Sequence, residues 1–150
     1  MLDIKIVNKS NNPLPAYETK GSAGMDLRAY ITNEDDELVI NPGEQKLIHT
    51  GIYIQLPQGY EAQVRSRSGL AVKHNIRVFH GVGTIDSDYR GEICVPLENA
   101  NRTWPPFTVH NGDRIAQLVI SKCEQAKLIL LEHLDDTERA DGGFGHSGIK

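Results

Sequence analysis

Apolar and polar residues alternate at period two in short runs along most of the chain, and turn residues end each run within a few residues. Ile4 and Ile6, with polar residues between them, form one run, and Tyr60-Glu61-Ala62-Gln63-Val64-Arg65 is a clean alternation. Leu38–Ile40, Gln45–His49, Ile52–Leu56, Ile93–Leu97, Thr108–His110, Ile115–Ser121 and Leu128–Leu131 are further predicted strands. Asn41-Pro42-Gly43, Pro57-Gln58-Gly59 and Asn111-Gly112-Asp113 supply the turns between them. Many short strands at this spacing predict an all-β sandwich or barrel. Pro96, which lacks a backbone donor, predicts an edge or irregular strand over Ile93–Leu97. One short helix is predicted over Ser68–His74, with Ser68 as its N-cap. From Asp135 the chain turns polar and glycine-rich, the composition of a mobile tail.

A chain of 150 residues is one domain with room for a real core. The net charge of −4 argues against a nucleic-acid partner, because proteins that live on phosphate contacts are usually basic. Phosphate binding here has to come from a few placed arginines and backbone amides. Cys94 and Cys123 lie in apolar runs and read as buried thiols in a reducing compartment. No Cys/His cluster has zinc spacing, and the six histidines are scattered. The N-terminal residues alternate like a strand and lack a signal-peptide core, and no apolar run approaches membrane-spanning length. The expectation is a soluble cytoplasmic protein with no membrane partner.

Four places invite chemistry. In residues 81–92, Asp86 and Tyr89 stand in a loop bordered by Gly81, Gly83 and Gly91. That loop suits a small planar substrate to be gripped and hydrolysed, and equally a Gly/Asp-rich surface turn. Arg67-Ser68-Gly69 opens the only predicted helix, where free N–H groups and a guanidinium favour an anion, though a plain cap with a solvated Arg reads the same. Alternation puts Gln117 on the face of Ile115 and Val119, where its amide needs partners, either a neighbouring loop or a ligand. Asp26 follows Gly24 in a strand-like run, and is either satisfied by a nearby Arg or held for a ligand. No Ser-His-Asp pattern, GxSxG or P-loop is present in the sequence.

Five stretches in order carry a resemblance. They are Ala23-Gly24-Met25-Asp26-Leu27-Arg28-Ala29, residues 65–73 from Arg65-Ser66-Arg67-Ser68-Gly69 onward, residues 81–92, Gly112-Asp113-Arg114-Ile115-Ala116-Gln117-Leu118, and the closing stretch from Arg139 to Gly148. Together, from about Leu14 to Gly148, they resemble the five motifs of the trimeric deoxyuridine triphosphate nucleotidohydrolases (dUTPases). The resemblance implies a distorted β jelly roll of the β-clip type with one short helix, forming a homotrimer with a swapped C-terminal tail. It implies a jelly-roll domain over residues 1–136 and an arm over 137–150 that closes the site.

It also implies Mg²⁺-dependent hydrolysis of dUTP to dUMP and pyrophosphate, with Asp86 as general base for the attacking water. Tyr89 would stack on the deoxyribose, and uracil would lie in a hairpin from Phe79 to Cys94, beside Gly83, Thr84 and Ile85. Arg67, Ser68, Gly69 and Gln117 would hold the phosphates, and Asp26 would face the metal through water. Phe144 and Gly145 would close over the base, while Arg139 and Ser147 would reach the far phosphates. His80, Ala140 and His146 depart from residues usual in the family (Asn, Gly and Ser), so the His80 base contact differs here. A dCTP deaminase, similar on the same fold, would need a Glu where this chain has Pro96. A dUTPase-fold protein acting also through a protein partner is the other alternative.

Overall fold

Alternation becomes strand almost wherever the sequence carries it. The structure, a computed structural model, describes residues 2–143. Its strands are β1 (Lys5–Asn8), β2 (Met25–Arg28), β3 (Glu37–Ile40), β4 (Gln45–Ile48), β5 (Ile52–Gln55) and β6 (Tyr60–Ser66). After helix α1 (Ser68–His74) come β7 (Ile76–Val78), β8 (Val82–Ile85), β9 (Val95–Asn99), β10 (Phe107–His110) and β11 (Arg114–Lys122). They pair antiparallel in four small sheets, ordered β1-β5, β10-β3, β2-β11-β6-β8 and β4-β9-β7. The inward residues of these sheets meet in one core, with Leu27, Ile40, Ile76, Ile93, Leu97 and Ile115 at its centre.

Three expectations need correction. Leu128–Leu131 forms no strand: these residues run as coil, with Leu128 and Leu130 more than nine-tenths exposed. An apolar run is not a strand until another strand's backbone pairs with it, and β11, the strand before it, already has both neighbours. Pro96 sits in the central strand of its sheet, not at an edge. Val78, the last residue of β7, pairs with Leu97, so Pro96 falls one place past the end of β7. Its carbonyl still accepts from Phe79 N at 2.8 Å, and the donor it lacks has no β7 ladder to serve. Finally, Arg67 rather than Ser68 is the N-cap of α1, in extended conformation (φ −80°, ψ 124°) and with no side-chain cap bond.

Two polar side chains are fully interior, and each ties separate elements together. Thr50 Oγ1 donates to Ile93 O at 2.5 Å and accepts from Ile52 N at 3.2 Å. Asn99 Nδ2 donates to Ile40 O at 3.0 Å, and its Oδ1 accepts from Asn101 Nδ2 at 2.9 Å and Asn101 N at 3.2 Å. Replacing Asn99 with Leu would leave the Ile40 carbonyl and the Asn101 amide unpaired at the edge of the core. At about 1–3 kcal/mol per orphaned group, Asn99→Leu is expected to lose about 2–6 kcal/mol. Urea unfolding of both proteins at one chain concentration checks this, and a change below 1 kcal/mol would remove Asn99 from the fold's supports.

Candidate active site

The register of β11 assembles the first half of the site. Gln117 pairs with Asp26 on β2 and with Arg65 on β6, and Arg65 pairs in turn with Val82 on β8. Paired residues point to the same side of a sheet, so these four side chains line one face. Gly24 lies against this row: a Cβ there would meet Val119 Cγ2 at 3.3 Å and Gln117 Cδ at 3.5 Å. The sequence expectation set Gln117 on an apolar face with Ile115. Instead, a register shift between Arg114 and Ala116 turns both Ile115 and Ala116 inward and leaves Gln117 half-buried in a polar row.

Asp26 is the anion at the centre of a set of arginines. Its Oδ1 accepts from Arg67 Nε at 3.0 Å and its Oδ2 from Arg114 Nη1 at 3.3 Å. Arg67 also donates to Arg114 O at 3.1 Å, and Glu18 approaches Arg114 at 3.7 Å. Of the two readings left open for Asp26, the nearby-Arg partner is therefore present. Ser68 and Gly69 stand exposed beside Arg67 at the first turn of α1. Each Asp26 oxygen accepts one N–H and keeps one lone pair free. Such a carboxylate suits Mg²⁺ through an intervening water, which its free lone pairs can accept from while both arginine pairs are kept.

Asp86 and Tyr89 form the second half, on a loop less regular than a hairpin. One arm is β8, paired with β6. The other arm, residues 86–94, forms no ladder and is held instead by Tyr89 N to Asp86 O at 3.2 Å and Ile93 N to Ile52 O at 2.8 Å. β8 is thus the outer strand of its sheet, with one edge of main-chain groups outside any ladder. Asp86 is exposed, in a groove of about 770 Å³ lined by Leu56, Tyr60, Glu61, Ser87 and Arg90. Tyr89 is half-exposed, donates to Glu92 O at 3.0 Å, and covers Gly91 so closely that any Cβ there would overlap its phenol. The His80 imidazole covers Gly83, where a Cβ would lie 2.8 Å from its Cε1. Thr84 faces solvent and Ile85 is half-buried on β8.

Within one chain these halves stay apart. Val82 pairs with Arg65 and Ile85 with Ala62, three residues or about 10 Å along the sheet. Asp86 lies beyond one end of that span, and Ser68 beyond the other. A separate cavity of about 250 Å³, lined by Arg67, Leu70, Phe107 and Arg114, marks the arginine end. Arg139 is exposed and closes a local turn by donating from Nε to Gly142 O at 2.7 Å. Ala140 in that turn has φ 45°, a left-handed conformation that costs a non-glycine residue about 1 kcal/mol. Phe144, Gly145 and Ser147 lie outside the described residues.

Cys94, at the end of the loop expected to hold the base, lies beside His49, with Sγ 3.6 Å from Nδ1. Burial lifts its thiol to about 11, with help from the nearby Glu92 charge. Burial also pushes the Glu92 carboxyl up, but bonds from His49 Nδ1 and the Gly51 and Thr50 amides outweigh it and hold the group below its ordinary value. Cys123 is exposed, against the expectation of a buried thiol, because it follows the last residue of β11. Sequence reasoning gave no role to Arg114, Glu18, His49 or Glu92. Their partners lie 41 to 96 residues away, and only the tertiary fold brings them together.

A profile of the dUTPase family matches residues 10–148. The chain is 53% identical to a deoxyuridine 5'-triphosphate nucleotidohydrolase of Finegoldia magna, covering 98% of this chain and 99% of that protein. It is also 53% identical to the enzyme of the same name from Cytophaga hutchinsonii, over 97% of this chain and 91% of the other. Among solved structures, a Staphylococcus bacteriophage 80alpha dUTPase with dUpNHpp superposes with a TM-score of 0.87 at 24% identity, covering 98% and 99% of the two chains. A dUTPase from phage phi11 of S. aureus, described with a structural Mg(II) ion, gives 0.77 at 22% identity over 87% and 97%. These likenesses establish the fold as the distorted jelly roll of that group.

The arginine set carries a measurable signature. Side chains of Asp26 and Arg67 are 11% and 26% exposed, whereas Arg114 is 43% exposed. A double-mutant cycle of Asp26→Asn with Arg67→Met is expected to give a coupling energy of about 1–2 kcal/mol in thermal unfolding. The cycle with Arg114→Met should give less than half of that, since exposed pairs contribute little. Equal couplings would refute the ranking.

Proposed function

Because this chain belongs to the dUTPase family, we propose that it hydrolyses dUTP to dUMP and pyrophosphate at sites shared between the chains of a homotrimer. The observation that carries this reading is the split site: the Asp86 loop and the arginine end lie at opposite ends of one sheet. A second chain is needed to bring an arginine end up to an Asp86 loop. The exposed side chains of Leu128, Ile129, Leu130, Leu131 and Leu134 support the same conclusion, as apolar surface of that extent needs a partner. The body over residues 1–136 then holds the site, and residues 137–150 form the arm that closes it.

In this reading Asp86 orients a water in line with the α-phosphorus and takes its proton as the new P–O bond forms. The bond from the α-phosphorus to the bridging oxygen breaks, and its electron pair leaves on pyrophosphate. Arg67, the Ser68 hydroxyl, the Gly69 amide and Gln117 bind the phosphoryl oxygens and take up developing charge. Asp26 would hold Mg²⁺ through an intervening water, and the ion would supply neutralisation of phosphate charge. The free edge of β8, with Gly83, Thr84 and Ile85, meets the polar edge of uracil, and His80 over Gly83 forms one wall. The half-exposed Tyr89 ring packs on C2′ and leaves no room for a 2′-hydroxyl. Arg139 and Ser147 reach the far phosphates, and Phe144 and Gly145 cover the base. The free thiols Cys94 and Cys123 accord with a reducing cytoplasm, where the reaction keeps uracil out of DNA and supplies dUMP.

A panel of dUTP, dCTP, dTTP and UTP, scored for pyrophosphate and for ammonia, tests the activity. Pyrophosphate from dUTP alone is expected, and ammonia from dCTP would mean deamination instead. Asp86→Asn keeps the shape of the carboxylate but cannot accept a proton, so kcat is expected to fall about 10²–10⁴-fold with dUTP binding kept. Turnover within a few-fold of the parent would sink the base assignment. For the shared site, inactive Asp86→Asn protein refolded together with an inactive Ser68→Arg protein should recover activity, because mixed trimers contain some intact sites. Confirmed mixed trimers without recovery would place each site within one chain.

A further inference from the structure

We propose that His49, Glu92 and Cys94 form a transition-metal site suited to Zn²⁺. The donor atoms come from two segments more than 40 residues apart in sequence, and all lie within 4.8 Å of one another. His49 Nδ1 is 2.9 Å from Glu92 Oε2 and 3.6 Å from Cys94 Sγ. Tetrahedral Zn²⁺ with ordinary bond lengths spaces a nitrogen and a sulfur ligand about 3.5 Å apart, and a nitrogen and an oxygen ligand about 3.3 Å apart. The first spacing is already present, and the second needs an opening of about half an ångström as one hydrogen bond gives way to two metal bonds.

The two segments are fastened to each other independently of any metal. Glu92 Oε1 accepts from Thr50 N at 3.1 Å and Gly51 N at 2.8 Å. Thr50 Oγ1 donates to Ile93 O at 2.5 Å, and Ile93 N to Ile52 O at 2.8 Å. Gly51 itself has φ 70°, and a Cβ there would lie 2.7 Å from Ser10 N, so this tight passage of backbone is fixed. One carboxylate oxygen is thereby oriented by amides while the other faces the imidazole and thiol. That is the outer-shell support which makes a ligand set bind rather than merely cluster.

The donor chemistry selects the ion. One nitrogen, one oxygen and one sulfur suit Zn²⁺, whereas Mg²⁺ demands an octahedron of oxygens. On binding, the thiol proton leaves to solvent, and thiolate, neutral imidazole and carboxylate each donate an electron pair. The half-exposed His49 ring leaves a fourth position open to water. The site is distinct from the arginine set around Asp26, and it touches the loop of Asp86 through Tyr89 Oη, which donates to Glu92 O at 3.0 Å. An ion here would clip that loop to β4 and β5.

The test uses the full chain, stripped with a chelator and titrated with Co²⁺ and then Zn²⁺. One Co²⁺ per chain is expected, with a thiolate-to-cobalt charge-transfer band that Zn²⁺ erases and a tenfold excess of Mg²⁺ does not. Cys94→Ser should abolish the band, Cys123→Ser should keep it, and His49→Ala should weaken Co²⁺ binding more than the 10–100-fold typical of losing an outer-shell partner. Absence of the band, its survival in Cys94→Ser, or its loss in Cys123→Ser would each overturn the site. Should Cys94→Ser not fold, alkylation of the parent protein decides: Zn²⁺ must protect Cys94 and not Cys123, and equal labelling rejects the proposal.

Discussion

A slip of β11 by one residue against either neighbour would send Gln117 into the core and Leu118 into solvent, because side chains alternate between the faces of a sheet. The structure depends on preventing that slip. β11 is flanked on both sides, by β2 and by β6, so its register is specified twice. Leu118, Val64 and Leu27 anchor it from below, each fully buried. The irregularity between Arg114 and Ala116 adds a third constraint, since it allows Ile115 and Ala116 both to face inward. The Asp26–Gln117–Arg65 row above is a by-product of how the core below packs.

Most strands were legible because half-buried alternation is itself the physical cause of a strand with one face on a core. Tyr60–Ser66 and Ile52–Gln55 fall where the pattern put them, and α1 spans the predicted Ser68–His74. What stayed hidden was relational. Ile76–Val78 is too short to alternate visibly, and becomes a strand because Leu97 and Asn99 lie opposite. Pro96 broke a local rule that holds only where a neighbouring strand continues. Leu128–Leu131 had the right composition, with no partner strand among the described residues. The fold family could be read from motif order, and with it the candidates Asp26, Asp86 and Gln117, but the partners that the fold gives them could not. Asp26 meets Arg114 across 88 residues and His49 meets Glu92 across 43, distances that no local pattern reports.

The apolar surface left uncovered also has a direction. Val7, Leu47, Val82 and Phe79 are each about half-exposed on the body, and the five large apolar residues from Leu128 to Leu134 extend beyond it. A chain of this size can bury more than that, since unfilled apolar surface near 25 cal/mol per Å² is a costly thing to leave in water. The exposed patches on the body and the residues from Leu128 to Leu134 are therefore alike in kind, both apolar. On the proposed reading, assembly and catalysis then have the same cause: covering the apolar residues from Leu128 to Leu134 on another copy is what brings an arginine end toward an Asp86 loop.

That reading still has to explain how an acidic protein would attract a polyanion. Net charge governs long-range approach, while binding depends on the charges within a few ångströms. Around Asp26 stand Arg65, Arg67 and Arg114, with Glu18 at the margin, so the row is locally positive on a chain of net charge −4. Asp26 looks like a waste of that positive charge, since it neutralises part of it. Its value is geometric. Free arginines would be spread over many rotamers and would lose that freedom on meeting a phosphate, at about 0.5–1.5 kcal/mol for each side chain. Arg67, fixed by Asp26 Oδ1 on one side and Arg114 O on the other, has lost it already in folding. A half-buried carboxylate that holds a guanidinium still, with other N–H groups left over, gives up some attraction for a fork that is ordered before any phosphate arrives.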